Sequence, residues 1–191
     1  ITCNDLDIQS LLKKIPEKYK SPLNKLTPKG KFFLNAQITG KAGKGKTPSI
    51  MAEFGLKNGS ILYDKSLLTI KDVKFDGVYY NGEMQTMASS SVMISNFSAG
   101  VRMSQIKGDI KISDFTKPEI SVFSEGEMEL EDLQKLFEVD TIKSVRGRME
   151  IEISYKGVIN NIEDFSPQDL INNIASGQMK IREMSYQIKG D

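Results

Sequence analysis

Residues 30–40 read GKFFLNAQITG, a strand-length run with a glycine at each end, and this run decides the fold. Its apolar residues recur at every second position, as Phe32, Leu34, Ala36 and Ile38. Most of the positions between them hold polar residues, namely Asn35, Gln37 and Thr39. Successive side chains of a strand point to opposite faces, so this alternation predicts a half-buried β-strand with one apolar face.

Two more stretches show the same alternation. The first carries Ile50, Ala52, Phe54 and Leu56, and the second carries Met149, Ile151, Ile153 and Tyr155 between charged or small polar residues. Strands with one apolar face are typical of antiparallel sheets. The sequence therefore predicts a mainly β protein of the α+β class, with a few short helices. We expect a curved, twisted antiparallel sheet that is built from repeated units and has its helices packed on one face.

Helical spacing is confined to three short segments. The first has Asp7 as a capping residue before Ile8, Leu11, Leu12 and Ile15, and the second starts at Asp132 and continues through Leu133, Leu136 and Phe137. The third is predicted to run from Ser166 and Pro167 to Gly177, because a cap followed by proline favours a helix start and glycine favours a stop.

The order of these segments predicts an internal repeat. Each of the first two helices leads to a glycine-flanked strand, between Gly30 and Gly40 and between Gly147 and Gly157, and Gly59 and Gly177 are expected to open the strands that follow. We expect unit 1 at about residues 5–116 and a partial unit 2 at about residues 130–191. A unit that stops part-way predicts that residues 1–191 are a single fragment of a longer repeat protein.

A smaller motif recurs within the strands and contains an acidic or amide residue. It occurs at residues 68–73, 92–97, 110–115 and 179–184, with Asp72, Asn96, Asp114 and Glu183 at the same position. The apolar spacing changes from two to three at that residue. We therefore predict a β-bulge there, where the strand twists.

The composition removes several classes of enzyme. The chain of 191 residues has no histidine and a single cysteine, Cys3, with 26 Lys plus Arg against 25 Asp plus Glu. Without histidine there is no Ser-His or Cys-His pair and no histidine-bearing zinc site. We predict no catalytic residues, no metal site and no cofactor.

Residues 40–47 read GKAGKGKT and match the spacing of a phosphate-binding loop, in which Lys46 would contact phosphate and Thr47 would bind magnesium. The apolar alternation that begins at Ile50 favours a strand after this loop, whereas the phosphate-binding motif needs a helix. A phosphate-loop enzyme also needs parallel strands joined by long helices. We therefore predict a cationic hairpin loop here.

Charge is segregated along the chain although the net charge is only +1. Ten lysines and one acidic residue lie between Lys13 and Lys46, and eight acidic residues and one lysine lie between Glu119 and Asp140. The basic stretch is read either as a solvated face or as a surface that meets an anionic membrane. Few arginines and no aromatic platform accompany it, so nucleic acid is not an expected partner. The alternating carboxylates Glu125, Glu127, Glu129, Glu150 and Glu152 are read as the solvated side of the sheet.

Four segments together resemble the AsmA-like family of Gram-negative envelope proteins. They are residues 30–40, residues 48–60 (PSIMAEFGLKNGS), residues 92–99 (VMISNFSA) and the glycine-bracketed strand 147–157. The resemblance covers most of the chain. It implies a large protein that is anchored in the inner membrane by an N-terminal helix and has a periplasmic body of repeated β units.

Relatives in the repeating β-groove group of that family are similar to elongated troughs whose apolar concave face conducts phospholipid between membranes. The resemblance thus implies a non-enzymatic periplasmic module that binds or conducts phospholipid, or another acyl-chain lipid, and supports outer-membrane homeostasis. The expected lipid-groove residues are Phe32, Leu34, Ala36, Ile38, Ile50, Ala52, Phe54, Leu56, Met149, Ile151, Ile153 and Tyr155. A structural spacer or protein-interaction domain, with its sheet closed by Ile8, Leu11, Leu12, Leu133, Leu136 and Phe137, is the alternative.

Overall fold

A computed structural model describes residues 1–13, 26–63, 68–137, 141–158 and 174–189. These residues form a nine-stranded sheet and two short helices. In chain order the elements are β1 (Thr2–Asp7), α1 (Ile8–Leu12), β2 (Leu26–Thr39), β3 (Ser49–Tyr63), β4 (Leu68–Tyr80), β5 (Ser91–Val101), β6 (Ser104–Ser113), β7 (Glu119–Glu129), α2 (Leu130–Phe137), β8 (Ile142–Val158) and β9 (Ile174–Ile188). The predicted mainly β, antiparallel fold is confirmed.

Each strand pairs with the next one along the chain, and all eight pairings are antiparallel. The sheet is therefore an open meander with β1 and β9 at its edges. Connections alternate between its two ends. We name the end with residues 40–48, 81–90 and 114–118 the loop end. The opposite end, with α1, the turn at Arg102 and Met103, and α2, is the helix end.

One row of paired residues crosses the sheet without a break in register. It runs through Cys3, Leu34, Phe54, Gly77, Ile94, Ile110, Val122, Tyr155 and Ala175, one residue from each strand. Directly paired residues point to the same side of a sheet. We name the side that carries this row the apolar face and the other side the polar face. With neighbouring strands about 4.8 Å apart, the row is about 38 Å long.

The recurring acidic or amide residue has a backbone with positive φ at all four predicted positions. Asp72, Asn96, Asp114 and Glu183 have φ of 54°, 54°, 54° and 53°. The register of the sheet shifts at Asp72, Asn96 and Glu183, so the predicted bulge is confirmed at these three positions. Asp114 instead follows the last residue of β6 and begins a turn. Asp and Asn tolerate this conformation better than most residues, because their short polar side chains bond locally.

The glycines that were expected to flank strands lie largely inside them. Gly30 and Gly147 have φ of 141° and 128° and lie at register shifts within β2 and β8. Gly59 lies inside β3 and Gly177 inside β9, so neither glycine opens a strand. A Cβ at Gly147 would lie 2.9 Å from the carbonyl oxygen of Arg182, which explains why glycine occupies this bulge.

The first two predicted helices are confirmed. Asp7 caps α1, since its Oδ2 accepts a hydrogen bond of 3.1 Å from the Ser10 amide. Ile15, the last residue of the predicted first helix, lies outside the described residues. The second helix begins at Leu130, two residues before Asp132. Residues 166–173 of the predicted third helix lie outside the described residues. The prediction is wrong for residues 174–177, which form the start of β9.

The buried core is small and lies towards the helix end. Among the described residues, the buried apolar side chains form one cluster of Leu56, Val73 and Ala99 and a second of Leu130, Val145 and Met149, with Val101 also buried. Ile8 of α1 packs against the first cluster, and Leu133 of α2 packs against the second. Helix packing thus accounts for the burial at this end of the sheet.

Candidate functional site

Eight of the twelve candidate residues form four direct cross-strand pairs between β2 and β3. The pairs are Phe32 with Leu56, Leu34 with Phe54, Ala36 with Ala52, and Ile38 with Ile50. Because each pair shares a side of the sheet, the two alternating patterns merge into one apolar strip on the apolar face. The strip runs from the buried Leu56, at the middle of β3, to the exposed Ile38 at the loop end.

The other four candidates lie on β8, on the same face but five strands away from β3. Met149, Ile151, Ile153 and Tyr155 pair with residues of β7 and with Ile181, Met179, Gly177 and Ala175 of β9. The Tyr155 hydroxyl is buried and has no hydrogen-bond partner among the described residues, so the part of this side chain that adds to the apolar face is its aromatic ring. The structure thus places all twelve candidates on one face, in two groups.

The strands between the two groups fill the gap with apolar side chains that the candidate set omitted. They are Tyr79, Val92, Ile94, Ile110, Ile112, Ile120 and Val122, and each is half-buried. The sequence feature that predicts these side chains is the apolar alternation in residues 92–94, 110–112 and 120–122. The face is therefore continuous from β2 to β8.

Aromatic rings concentrate on β2, β3 and β4 near the middle of the strands. The Phe54 ring centroid lies 6.3 Å from those of Phe32 and Phe75. Gly77 lies beside this group, where a Cβ would come within 2.5 Å of the Phe54 ring. The missing side chain at Gly77 lets the Phe54 ring lie across the neighbouring strand. Sequence reasoning found Phe32 and Phe54 but not the contribution of Phe75 or Gly77.

Coverage of the apolar face differs between its two halves. Among the described residues, the buried apolar side chains lie at mid-strand or towards the helix end, where side chains of α1 and α2 pack against them. Towards the loop end, side chains such as Leu34, Ile94 and Val122 are only half-buried, and Ile38 is exposed. Neighbouring side chains of the sheet shield these residues from the sides. No helix among the described residues covers them from above, so they are less buried than the residues at the helix end.

Hollows in the surface open on the polar face. One of about 780 Å³ is lined by Lys57, Asp76, Lys107 and Asp109 among others, and one of about 750 Å³ by Gln105, Glu127, Glu150 and Lys180 among others. Only Leu56 and Ile151 of the twelve candidates reach the lining of these two hollows. Tyr155 lines a third hollow of about 360 Å³, and the other nine candidates line none of the three, so the twelve form a broad face and not a walled groove.

The predicted solvated carboxylates lie on the polar face. Glu125 pairs with Glu152 and Glu127 with Glu150 across β7 and β8, and basic side chains flank them. Arg182 Nη2 lies 2.7 Å from Glu150 Oε1, and Arg148 Nη1 lies 3.8 Å from Glu127 Oε2. Within the described ranges, no group of three His, Cys, Asp or Glu side chains is placed to hold a metal ion.

The phosphate-loop pattern forms the predicted hairpin loop. Gly43 and Lys46 exchange backbone hydrogen bonds of 3.0 and 3.1 Å, and residues 41–47 are exposed. The chain continues into β3 after Pro48, so the helix that the motif requires is replaced by a strand. The amide groups of Gly43 and Lys46 are occupied with each other and do not form a phosphate cradle.

A buried carboxylate that sequence reasoning missed fixes α2 to the sheet. Asp132 is 1% exposed, accepts a hydrogen bond of 2.8 Å from the Ser104 hydroxyl at Oδ2 and one of 3.2 Å from Arg102 at Oδ1. Ser104 in turn accepts a hydrogen bond from the Glu129 amide. Asp132 was expected to start its helix, but it is the third residue of α2 and joins the helix to the β5–β6 turn.

Among the described residues, no helix is long and apolar enough to cross a membrane. Comparison of the chain with protein-family models, with curated proteins and with solved structures finds no match.

Proposed function

We propose that this protein is a non-enzymatic lipid-binding module whose apolar face takes up acyl chains at the loop-end half of the sheet. The observation that carries the proposal is the continuous apolar row through all nine strands, together with the confinement of the buried core to the helix end. A sheet with an apolar face needs a helix, a second sheet or a ligand to cover it. Acyl chains are the ligand that this chemistry fits.

The dimensions and energetics of the face suit such a ligand. From Leu34 to Ile38 the strip extends about 14 Å along the strands, close to the roughly 15 Å of hydrocarbon in one bilayer leaflet. Each methylene group that moves from water onto the apolar face contributes about 0.8 kcal/mol. The face carries no charged side chain in the central row, so an acyl chain meets no desolvation penalty there.

The wider role follows from the resemblance to the AsmA-like family. In this proposal the chain is part of a longer periplasmic protein that is anchored in the inner membrane, conducts phospholipid and supports outer-membrane homeostasis. The repeated units would be α1–β2–β3 and α2–β8–β9, within residues 5–116 and 130–191, with both helices on the apolar face. The matching bulge glycines, Gly30 and Gly147, support this repeat.

Native mass spectrometry of the purified chain after incubation with phosphatidylethanolamine vesicles tests the proposal. We expect protein that carries one or more phospholipid masses, which detergent-free gel filtration does not remove. Glycerophosphoethanolamine, the water-soluble product of removing both acyl chains from phosphatidylethanolamine, is the control ligand and should not bind, because it has no acyl chain. A protein that stays free of lipid mass would contradict the proposal.

A second candidate function is a protein-interaction β domain, and the broad shape of the apolar face favours it. Two hollows of about 780 and 750 Å³ open on the polar face, and β9 exposes Met179, Ile181, Tyr186 and Ile188 at the sheet edge. Another protein surface would cover a broad face as well as lipid would. In that case the mass spectrum shows no lipid, and the chain self-associates or binds a protein partner through β9.

A further inference from the structure

Hydrogen bonds join the three described loops at the loop end of the sheet into one platform. Asn81 is 3% exposed, its Oδ1 accepts a hydrogen bond of 2.8 Å from the Ile50 amide, and its Nδ2 donates one of 2.9 Å to the Pro48 carbonyl. These bonds hold the β2–β3 loop against the β4–β5 loop. The Phe115 amide donates a hydrogen bond of 2.9 Å to the Met87 carbonyl and thereby adds the β6–β7 loop.

The β6–β7 loop is itself well defined. The Asp114 carboxylate accepts hydrogen bonds from the Thr116 hydroxyl and from the Lys117 and Thr116 amides. The hydroxyl bond of Thr116, followed by the Lys117 amide, lowers the pKa of Asp114 from its usual value. The turn is therefore organised around an ionised carboxylate at neutral pH.

The β2–β3 loop presents three lysines at this end. Lys41, Lys44 and Lys46 are exposed, and Glu83 is the acidic residue of the adjacent β4–β5 loop. Residues 40–48 and 81–90 together thus carry an excess of two positive charges. Between the two loops lies a groove of about 540 Å³ that is lined by Lys41, Lys46 and Met84, among others.

Exposed apolar side chains accompany these lysines. Met84 and Met87 protrude from the β4–β5 loop with 73% and 57% of their surfaces exposed. At the loop end of the polar face, further exposed apolar side chains form the cross-strand pairs Met51–Tyr80 and Val78–Met93. Apolar side chains that protrude beside cations are the combination that binds the interface of an anionic bilayer.

We propose that the loop end docks on an anionic membrane surface, with Lys41, Lys44 and Lys46 beside lipid phosphates and Met84 and Met87 in the headgroup region. Lysine is a flexible point charge, whereas recognition of particular carboxylates on a protein partner favours the planar guanidinium of arginine. The loop platform carries no arginine. This surface is separate from the apolar face, so the inference does not depend on lipid uptake there.

Sedimentation of the chain with vesicles tests this docking surface. Vesicles of phosphatidylcholine with phosphatidylglycerol should bind the wild type, and vesicles of phosphatidylcholine alone should bind it much more weakly. The triple variant Lys41→Ala/Lys44→Ala/Lys46→Ala should bind the anionic vesicles about 100-fold more weakly, because each lysine near the surface strengthens binding by about 5-fold. The Met84→Ser/Met87→Ser variant should bind about 10-fold more weakly.

A matched variant distinguishes the platform from general surface charge. Lys71→Ala/Lys74→Ala/Lys107→Ala removes the same charge from exposed lysines away from the loop end and should bind within about 3-fold of the wild type. Glu83→Gln should bind more tightly. Equal losses of binding in the two lysine variants would overturn the proposal. A wild type that does not sediment with anionic vesicles, whether or not it binds an acidic protein, would also overturn it.

Discussion

Val122→Asp is expected to lower phospholipid binding by roughly 100-fold while the chain stays folded. Val122 lies in the central row of the apolar face, between Ile110 and Tyr155 on the neighbouring strands. An aspartate against acyl chains costs about 3 kcal/mol, which is the origin of the 100-fold loss. In the lipid-free protein this side chain is only half-buried, so the free energy of unfolding should fall by only about 1 kcal/mol, the scale of strand propensity. Lipid titration and urea unfolding measure the two effects.

Ser121→Asp is the matched control, because Ser121 precedes Val122 on β7 and points to the polar face, where it pairs with Lys111 and Lys156. It adds the same charge to the same strand and should leave lipid binding unchanged, with a similar small effect on stability. A loss of more than about 3 kcal/mol in Val122→Asp would show that the position is inside a closed core. That result would favour the alternative in which the sheet is closed by the chain's own helices and takes up no ligand.

Asp132→Ala is expected to lower the free energy of unfolding by about 3 kcal/mol. The substitution removes the acceptor of two hydrogen bonds, from Ser104 and Arg102, in a site where Asp132 is almost fully buried. It also breaks the connection between α2 and the β5–β6 turn. A protein of this size has roughly 5–15 kcal/mol of net stability, so the loss is large. Urea unfolding followed by circular dichroism measures it.

Glu131→Ala is the control for this substitution. Glu131 is the preceding residue of α2, is partly exposed, and lies 3.7 Å from both Arg102 and Arg146. Ion pairs that are open to solvent contribute about 0–1 kcal/mol, so this variant should unfold close to the wild type. If Asp132→Ala unfolds within about 0.5 kcal/mol of Glu131→Ala, the buried carboxylate does not hold the helix as described.

The apolar face was predictable because strand alternation is a local pattern. The period-two rows at Phe32–Ile38 and Ile50–Leu56 determine which side chains share a face, and a hairpin loop between them sets their register. The structure pairs these rows residue for residue. The bulges were predictable for the same reason, since a change in apolar spacing at Asp72 or Asn96 requires an extra residue on one strand.

The hydrogen bonds of the buried Asp132 and the hollows of the polar face were not predictable from such patterns. Asp132 and Ser104 are 28 residues apart, and only the packing of α2 beside the β5–β6 turn brings them together. The third helix was mispredicted near Gly177 because pairing with β8 outweighs the local cap and stop signals. The hollows of the polar face likewise arise from the arrangement of many strands, which no single segment specifies.

Photocrosslinking from the two sides of one strand tests the central claim most directly. A photoreactive amino acid is placed either at Ile110, in the central apolar row, or at the adjacent Lys111, on the polar face, and the protein is irradiated with bound phospholipid. Uptake of acyl chains by the apolar face predicts lipid adducts from position 110 and almost none from position 111. Adducts from position 111 alone, or equal labelling from both positions, would contradict it.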